Sequence, residues 1–277
     1  MTDYWISPFG PLSMYSTFIN VGVVLSILIL LILYFKTFKT FRSLLFVFAY
    51  GAVLIVGKYI SAAVRVINDG ALEKRENLWF DMKNLVGSHF LGHIITFMIL
   101  FFPAAFLIRG ICREVFGFSL ASPEDTFKAG SLAALMLPVQ HIFNRLGCLS
   151  RGCCYGVEYN GPLALTFPQN PEVEHPVFPC QVLEIVCMVI LLVILIVLLI
   201  KGKDLIGFTV AGFSGTFFIS EFFTENPYSV KHMGLTNIQI ISVVLIILSV
   251  LYIINSEKMK TWFSNKMDEK EKGSLKK

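Results

Sequence analysis

The sequence predicts an all-α integral membrane protein of about seven transmembrane helices, with the N-terminus outside and the C-terminus in the cytoplasm. Three observations carry this expectation. Of 277 residues, 55% are hydrophobic and 15% charged, and mean hydropathy is +0.71; a soluble domain carries about a quarter charged residues. Apolar runs of spanning length recur along the chain, and a helix needs about 20 such residues to cross hydrocarbon. Positive charge gathers in alternate connections, which sets orientation. Together these exclude a soluble globular enzyme, a disordered chain and a nucleic-acid binder. The net charge of +4 gives no support to nucleic-acid binding, because seven lysines fall in the last twenty residues.

Seven segments qualify as spans: 15–35, 44–66, 85–109, 127–147, 180–200, 205–224 and 235–254. The first, fifth and seventh are strongly apolar. The second, fourth and sixth carry polar residues or several glycines, which blurs their edges. A cleavable signal peptide is not expected: the first sixteen residues hold no Lys or Arg, and Thr17–Phe35 is long enough to span.

Lys36, Lys39 and Arg42 follow the first span; Arg109, Arg113 and Lys128 lie between the third and fourth; Lys201 and Lys203 separate the fifth and sixth. With the tail lysines they make fifteen positives on one side, against eight at most on the other. The expected organisation is a single polytopic domain over 1–254, with outer loops at 67–84 and 148–179, and a basic cytoplasmic tail at 255–277. Trp262 and Phe263 among the tail lysines suit an anionic membrane surface, and a solvated tail suits them equally.

Ionisable groups inside spans are costly, so each needs a reason. Under this threading Arg65, His89, His93, His141, Arg145, Gln181, Glu184 and Glu221 converge from five helices on one level near the outer headgroups. Snorkelling accounts for single residues such as Arg65, and an ion pair with Arg accounts for Glu184 or Glu221. The set as a whole points to a site. Arg suits phosphate through its planar, permanently charged fork, and His exchanges a proton near neutral pH. Such a pair at headgroup depth suits a phospholipid head.

Six cysteines are present. Cys112 and Cys187 lie in or near apolar segments, where Cys packs as a small hydrophobe. Cys148, Cys153 and Cys154 form a cluster whose spacing does not match the usual zinc pairs. Three readings stay open: a metal site completed by His141 or Cys180, a disulfide that could include Cys180, or packing. No metal and no other cofactor is assigned.

The segment Asn144-Arg145-Leu146-Gly147-Cys148-Leu149-Ser150-Arg151-Gly152-Cys153-Cys154-Tyr155-Gly156 resembles the signature of the prolipoprotein diacylglyceryl transferase family, with Arg145, Gly147, Gly152, Tyr155 and Gly156 in register. Pro179-Cys180-Gln181-Val182-Leu183-Glu184, Phe9-Gly10-Pro11-Leu12, Glu221-Phe222-Phe223 with Pro227, and Met233-Gly234-Leu235-Thr236-Asn237-Ile238-Gln239 resemble further family motifs in order. Departures are specific. Cys148, Arg151 and Cys153 stand where the family has two Asn and a Glu; Phe217 stands where it has a second Arg. Its His-Gly-Gly reads Ser88-His89-Phe90-Leu91-Gly92-His93, and its His before the Gln motif falls on Phe178.

The resemblance implies transfer of the diacylglyceryl group of phosphatidylglycerol to the lipobox cysteine thiol of a secreted prolipoprotein, with release of glycerol phosphate. It places the protein in a bacterial plasma membrane, among membrane lipids, with its site toward the outer face. Arg145 would hold the phosphate, assisted by Arg151 or Arg65. His89 or His93 would take the thiol proton, because the thiolate is the nucleophile. Glu184 completes the catalytic candidates and also serves, with Gln181, Tyr155 and Glu221, as a frame for the headgroup. Gly147, Gly152 and Gly156 would let backbone approach the lipid. The alternatives are a related headgroup transferase with another acceptor, and a non-catalytic anionic-lipid-binding protein or transporter.

Overall fold

Among the described residues, α-helices form where the apolar runs lie: α1 (Met14–Phe38), α2 (Phe46–Asn68), α3 (Leu91–Glu114), α4 (Pro123–Arg151), α5 (Cys180–Ile200), α6 (Ile206–Ser220) and α7 (Asn237–Ser274). The computed structural model describes residues 4–7, 10–39, 44–68, 91–116, 122–170, 173–224, 231–232 and 234–274. Among the described residues, five helices, α1, α3, α4, α5 and α7, are long and apolar enough to cross a membrane. Phe46–Gly57 of α2 and Ile206–Ser220 are shorter apolar stretches. This is the build of an integral membrane protein. Against the all-α expectation, two small antiparallel hairpins also form: β1 (Tyr4–Ser7) with β2 (Gly10–Ser13), and β3 (Lys231–His232) with β4 (Leu235–Thr236).

α4 is the axis of the bundle. Two thirds (67%) of its apolar window is buried inside the protein, against 22–33% for the other four long helices. α1 packs along α4, α2 along α3, α6 along α7, and α5 lies against both α4 and α6. Tyr34, Tyr50, Phe97, Phe101, Phe213 and Phe217 fill the centre. Tyr34 Oη donates to Ala129 O at 2.9 Å, which satisfies a buried hydroxyl. The outer faces of α1 and α5 expose Val24, Leu28 and Ile32, and Val189, Ile190 and Val193. Helices apolar on every side belong in lipid.

Where α4 starts and stops decides where the site sits. Ser122 caps its N-terminus in a capping box: Asp125 N–H donates to Ser122 Oγ at 3.1 Å, and Ser122 N–H donates to Asp125 Oδ2 at 3.2 Å, with Pro123 in the first turn. Gly152, at φ 71, ends the helix in the left-handed conformation, and its N–H bonds back to Cys148 O at 2.9 Å. So α4 is longer than the expected span 127–147, and Cys148 is helical rather than the first residue of an outer loop. α7 likewise runs on to Ser274, past the expected end at 254, because its polar continuation keeps good helix formers after the apolar run ends.

The opposite end of the bundle has polar contacts of its own. Arg109 is buried there. Asp204 pairs with Lys260 Nζ at 2.8 Å and accepts from Tyr252 Oη at 3.1 Å, tying the α5–α6 connection to α7.

Candidate active site

His141, Arg145 and Cys148 follow one another at helical spacing of four and three residues, so they share one face near the C-terminal end of α4. Gln181 and Glu184 occupy the first turns of α5, three residues apart. The two faces meet at one carboxylate. Glu184 Oε2 accepts from Arg145 Nε at 2.6 Å and lies 2.8 Å from His141 Nε2. With Glu184 ionised, the chemistry assigns the proton on that nitrogen to His141. All three residues are buried, at 8%, 0% and 3% exposure for Arg145, His141 and Glu184. The His141 ring stands edge-on to Phe213 and Phe217, each with centroids 5.5 Å away. A charge in this setting persists only when paired, and here the guanidinium and carboxylate supply each other's partner.

Beyond Gly152 the chain folds back over the end of α4. Cys153 N–H donates to Cys148 O at 3.1 Å. Gln181 Nε2 donates to Cys153 O at 2.7 Å, and Asn170 Nδ2 to Gly152 O at 2.9 Å. The Sγ atoms of Cys148, Cys153 and Cys154 all lie within 4.8 Å of one another. Arg145 Nη1 stands 3.8 Å from Cys148 Sγ. None of the six cysteines is in a disulfide among the described residues. The hydrogen bond with Cys148 lowers the pKa of Cys153, but its bond with Cys154 and its burial prevail, and the thiol is pushed up to about 12. The loop is then pinned to the segments just before α5 and just past α6: Gly156 N–H donates to Phe178 O at 2.8 Å, Val157 N–H to Phe223 O at 2.9 Å, and the Phe178 and Phe223 rings stack at 4.6 Å.

Residues 5–255 match the family described as prolipoprotein diacylglyceryl transferase. The chain belongs to this family. It is also 28% identical over 169 residues to phosphatidylglycerol–prolipoprotein diacylglyceryl transferase 2 of Clostridium perfringens strain 13, a match covering 57% of this chain and 65% of that protein. The chain therefore spans slightly less than two thirds of that relative.

Within this family member, the structure brings together Arg145, Glu184 and Gln181 of the sequence-assigned residues. His93 of α3 is buried against Gly57 of α2 and lies within electrostatic reach of His141. His89 lies outside the described residues, and Arg65 sits in the last turn of α2. Arg151 is exposed and lays its guanidinium over the Tyr15 ring of α1, 5.7 Å from the centroid. Tyr155 packs its ring against Phe167 at 6.2 Å. Glu221 is buried at the C-terminal cap of α6, just past the helix rather than inside it.

The signature glycines have protein neighbours where a side chain would stand. A Cβ on Gly147 would meet Tyr15 O at 3.1 Å, one on Gly152 would meet Phe167 Cβ at 2.9 Å, and one on Gly156 would press on Phe223 O. They set close helix and loop packing independently of any ligand. The residue the assignment missed is His141. Its signal was present: it lies four residues before Arg145, one turn away on the same face.

Proposed function

We propose that this chain transfers the diacylglyceryl group of phosphatidylglycerol to the cysteine thiol of secreted prolipoproteins and releases glycerol phosphate. The observation that carries the reading is the way Arg145 is held. Glu184 engages Nε alone, so the guanidinium is fixed in direction while its Nη1 donor faces the Cys148 thiol in the last turn of α4. A cation locked in that pose suits a phosphodiester whose leaving group gains charge in the transition state.

Arg145 grips the phosphate, with Arg65 or Arg151 assisting at the headgroup. Glu184 and His141 hold Arg145 in place, and Gln181 holds the loop. His93 or His89 takes the proton of the acceptor thiol. Tyr155, Glu221 and the glycine-bordered loop frame the glycerol. The seven helices cross a bacterial plasma membrane with the N-terminus outside, so the Arg145 level meets outer-leaflet lipid and an emerging precursor. The continuation of α7 then forms a basic cytoplasmic extension, and the stacking of Lys266 on Trp262 at 4.7 Å suits a membrane surface.

The test is reconstitution of the full chain with headgroup-labelled phosphatidylglycerol and a lipobox peptide. Wild type releases labelled glycerol phosphate and yields lipidated peptide; Arg145→Ala yields neither while remaining inserted and folded. Transfer at wild-type rate by Arg145→Ala overturns the phosphate role. One observation favours a second reading. Phe217, at the position of the family's second Arg, is buried against His141, so the site carries one cation fewer. Glycerol phosphate release without lipidated peptide selects a related transferase with a different acceptor.

A further inference from the structure

Three thiols meet in the signature segment, and two of them, Cys148 and Cys153, stand where the family has an amide and a carboxylate. Cys148 leaves the last turn of α4, and Cys153 and Cys154 come from the loop that turns back at Gly152. Their sulfurs lie within 4.8 Å of one another, with Cys153 and Cys154 at 4.0 Å. Around a tetrahedral ion with bonds of about 2.3 Å, sulfurs stand roughly 3.8 Å apart. The cluster is already near that spacing. A disulfide would require about 2.05 Å and could employ only two of the three.

The backbone is arranged for this convergence. Cys154 occupies the left-handed region at φ 59, which a non-glycine residue adopts at a cost unless its surroundings demand it. The Gln181 bond to Cys153 O fixes the loop from α5. Arg145 Nη1, 3.8 Å from Cys148 Sγ, places positive charge beside sulfurs that would carry a net negative charge around a divalent ion. Exposure is graded: Cys148 is buried, Cys153 intermediate and Cys154 exposed. The cluster thus opens outward on one side.

We propose that Cys148, Cys153 and Cys154 form a three-thiolate site for a zinc-class cation whose fourth position takes the acceptor thiol. Three protein donors with one open position is the pattern of catalytic rather than structural zinc. This inference rests on the transferase reading above. On metal binding each protein thiol gives its proton to solvent, and the acceptor thiol gives its own to the histidine base when it becomes the fourth ligand. The acceptor thiolate attacks the glyceryl carbon of the lipid. A C–S bond forms as the C–O bond breaks, and the electron pair leaves on the phosphate oxygen of glycerol phosphate, facing Arg145. The ion stays divalent throughout, and no oxidant or reductant is consumed.

The full chain, reduced in detergent and stripped with a chelator, is titrated with Co²⁺ as a spectroscopic probe. The expected result is one ion per chain with a thiolate-to-cobalt charge-transfer band, displaced by Zn²⁺. Cys153→Ser and Cys154→Ser should each weaken binding by more than the roughly 100-fold that loss of an outer-shell partner costs. Cys112→Ser and Cys187→Ser should leave it unchanged. A lipobox peptide should shift the wild-type spectrum, and its Cys→Ser form should not. No band in wild type, a band that survives loss of both Cys153 and Cys154, or a spectrum unmoved by the cysteine peptide overturns the proposal. A stripped protein that transfers at full rate overturns it while leaving the transferase reading intact. An ion-loaded, peptide-responsive protein that releases no glycerol phosphate sinks that reading and spares this one.

Discussion

Arg145 and Glu184 are joined across the α4–α5 contact by a single Nε–Oε2 bond of 2.6 Å, although a guanidinium and a carboxylate can pair through two. The second contact to the same oxygen comes from His141 at 2.8 Å. One carboxylate oxygen therefore anchors two α4 side chains one helical turn apart. The arrangement spends the carboxylate on orientation and keeps the end of the guanidinium for something else.

This division of labour predicts a large effect from a conservative change. Lys carries the same charge but presents it as a point, without a fork that can hold Glu184 and a phosphate at once. Arg145→Lys should keep the fold, with a melting temperature in detergent close to wild type. Its kcat/KM for diacylglyceryl transfer should fall by about 100- to 1000-fold, the scale of losing one transition-state donor. A variant within tenfold of wild type would show that only charge is needed at this position.

Glu184→Gln tests the other partner. The amide keeps the shape and removes the charge, leaving the Arg145 guanidinium buried without its counter-charge. Breaking a buried pair from one side costs about 3–5 kcal/mol. Thermal unfolding in detergent should register that loss. Replacing both members with apolar residues, Arg145→Met with Glu184→Leu, should recover at least half of it while abolishing transfer. If the double variant is no more stable than Glu184→Gln, the pair is not what holds α5 to α4.

The same residues show what the sequence made readable. The runs behind α1 and α5 are apolar on all sides, and hydropathy alone places them. α4 is harder, because the axis of the bundle can carry Ser, Gln, His and Arg against protein neighbours rather than lipid. Its ends depend on Ser122 and Gly152, whose capping roles are local chemistry that a hydropathy window averages away. Arg145, Glu184 and Gln181 were legible because a charged or strongly polar group in a span needs a reason. His141 was visible but unassigned, since only packing shows which of several histidines reaches the carboxylate. The cysteine cluster was ambiguous for a related reason: spacing along the chain does not reveal that a left-handed Cys154 turns the loop back toward Cys148.

The capping box gives a prediction about stability alone. Ser122 lies at the far end of α4 from Arg145, and its hydroxyl accepts from Asp125 N–H. Ser122→Ala should cost about 1 kcal/mol, the usual loss for such a cap. The melting temperature should drop slightly while kcat and KM for transfer stay unchanged. A fall in kcat at a temperature well below unfolding would mean that the cap acts on the site through the length of the helix.

Two glycine-to-alanine changes should have opposite signs. Gly215 lies inside α6 with open space where a Cβ would stand, so Gly215→Ala removes the entropic cost of a helical glycine and should stabilise by roughly 0.5–1 kcal/mol. Gly156 faces the carbonyl of Phe223, with Cys180 Sγ 2.8 Å and Phe178 Cβ 2.9 Å from the same point. That carbonyl cannot step aside freely, because Val157 N–H already donates to it at 2.9 Å. A methyl group there must push the cysteine loop off the segment just past α6, at about 1–3 kcal/mol for overpacking. Since Gln181 holds the same loop through Cys153 O, the displacement should also reach the site, lowering kcat/KM for transfer as well as the melting temperature. Paired melts and transfer assays on the two variants decide the matter: a Gly156→Ala protein as stable and active as wild type would mean that the loop does not rest on Phe223 in the working enzyme.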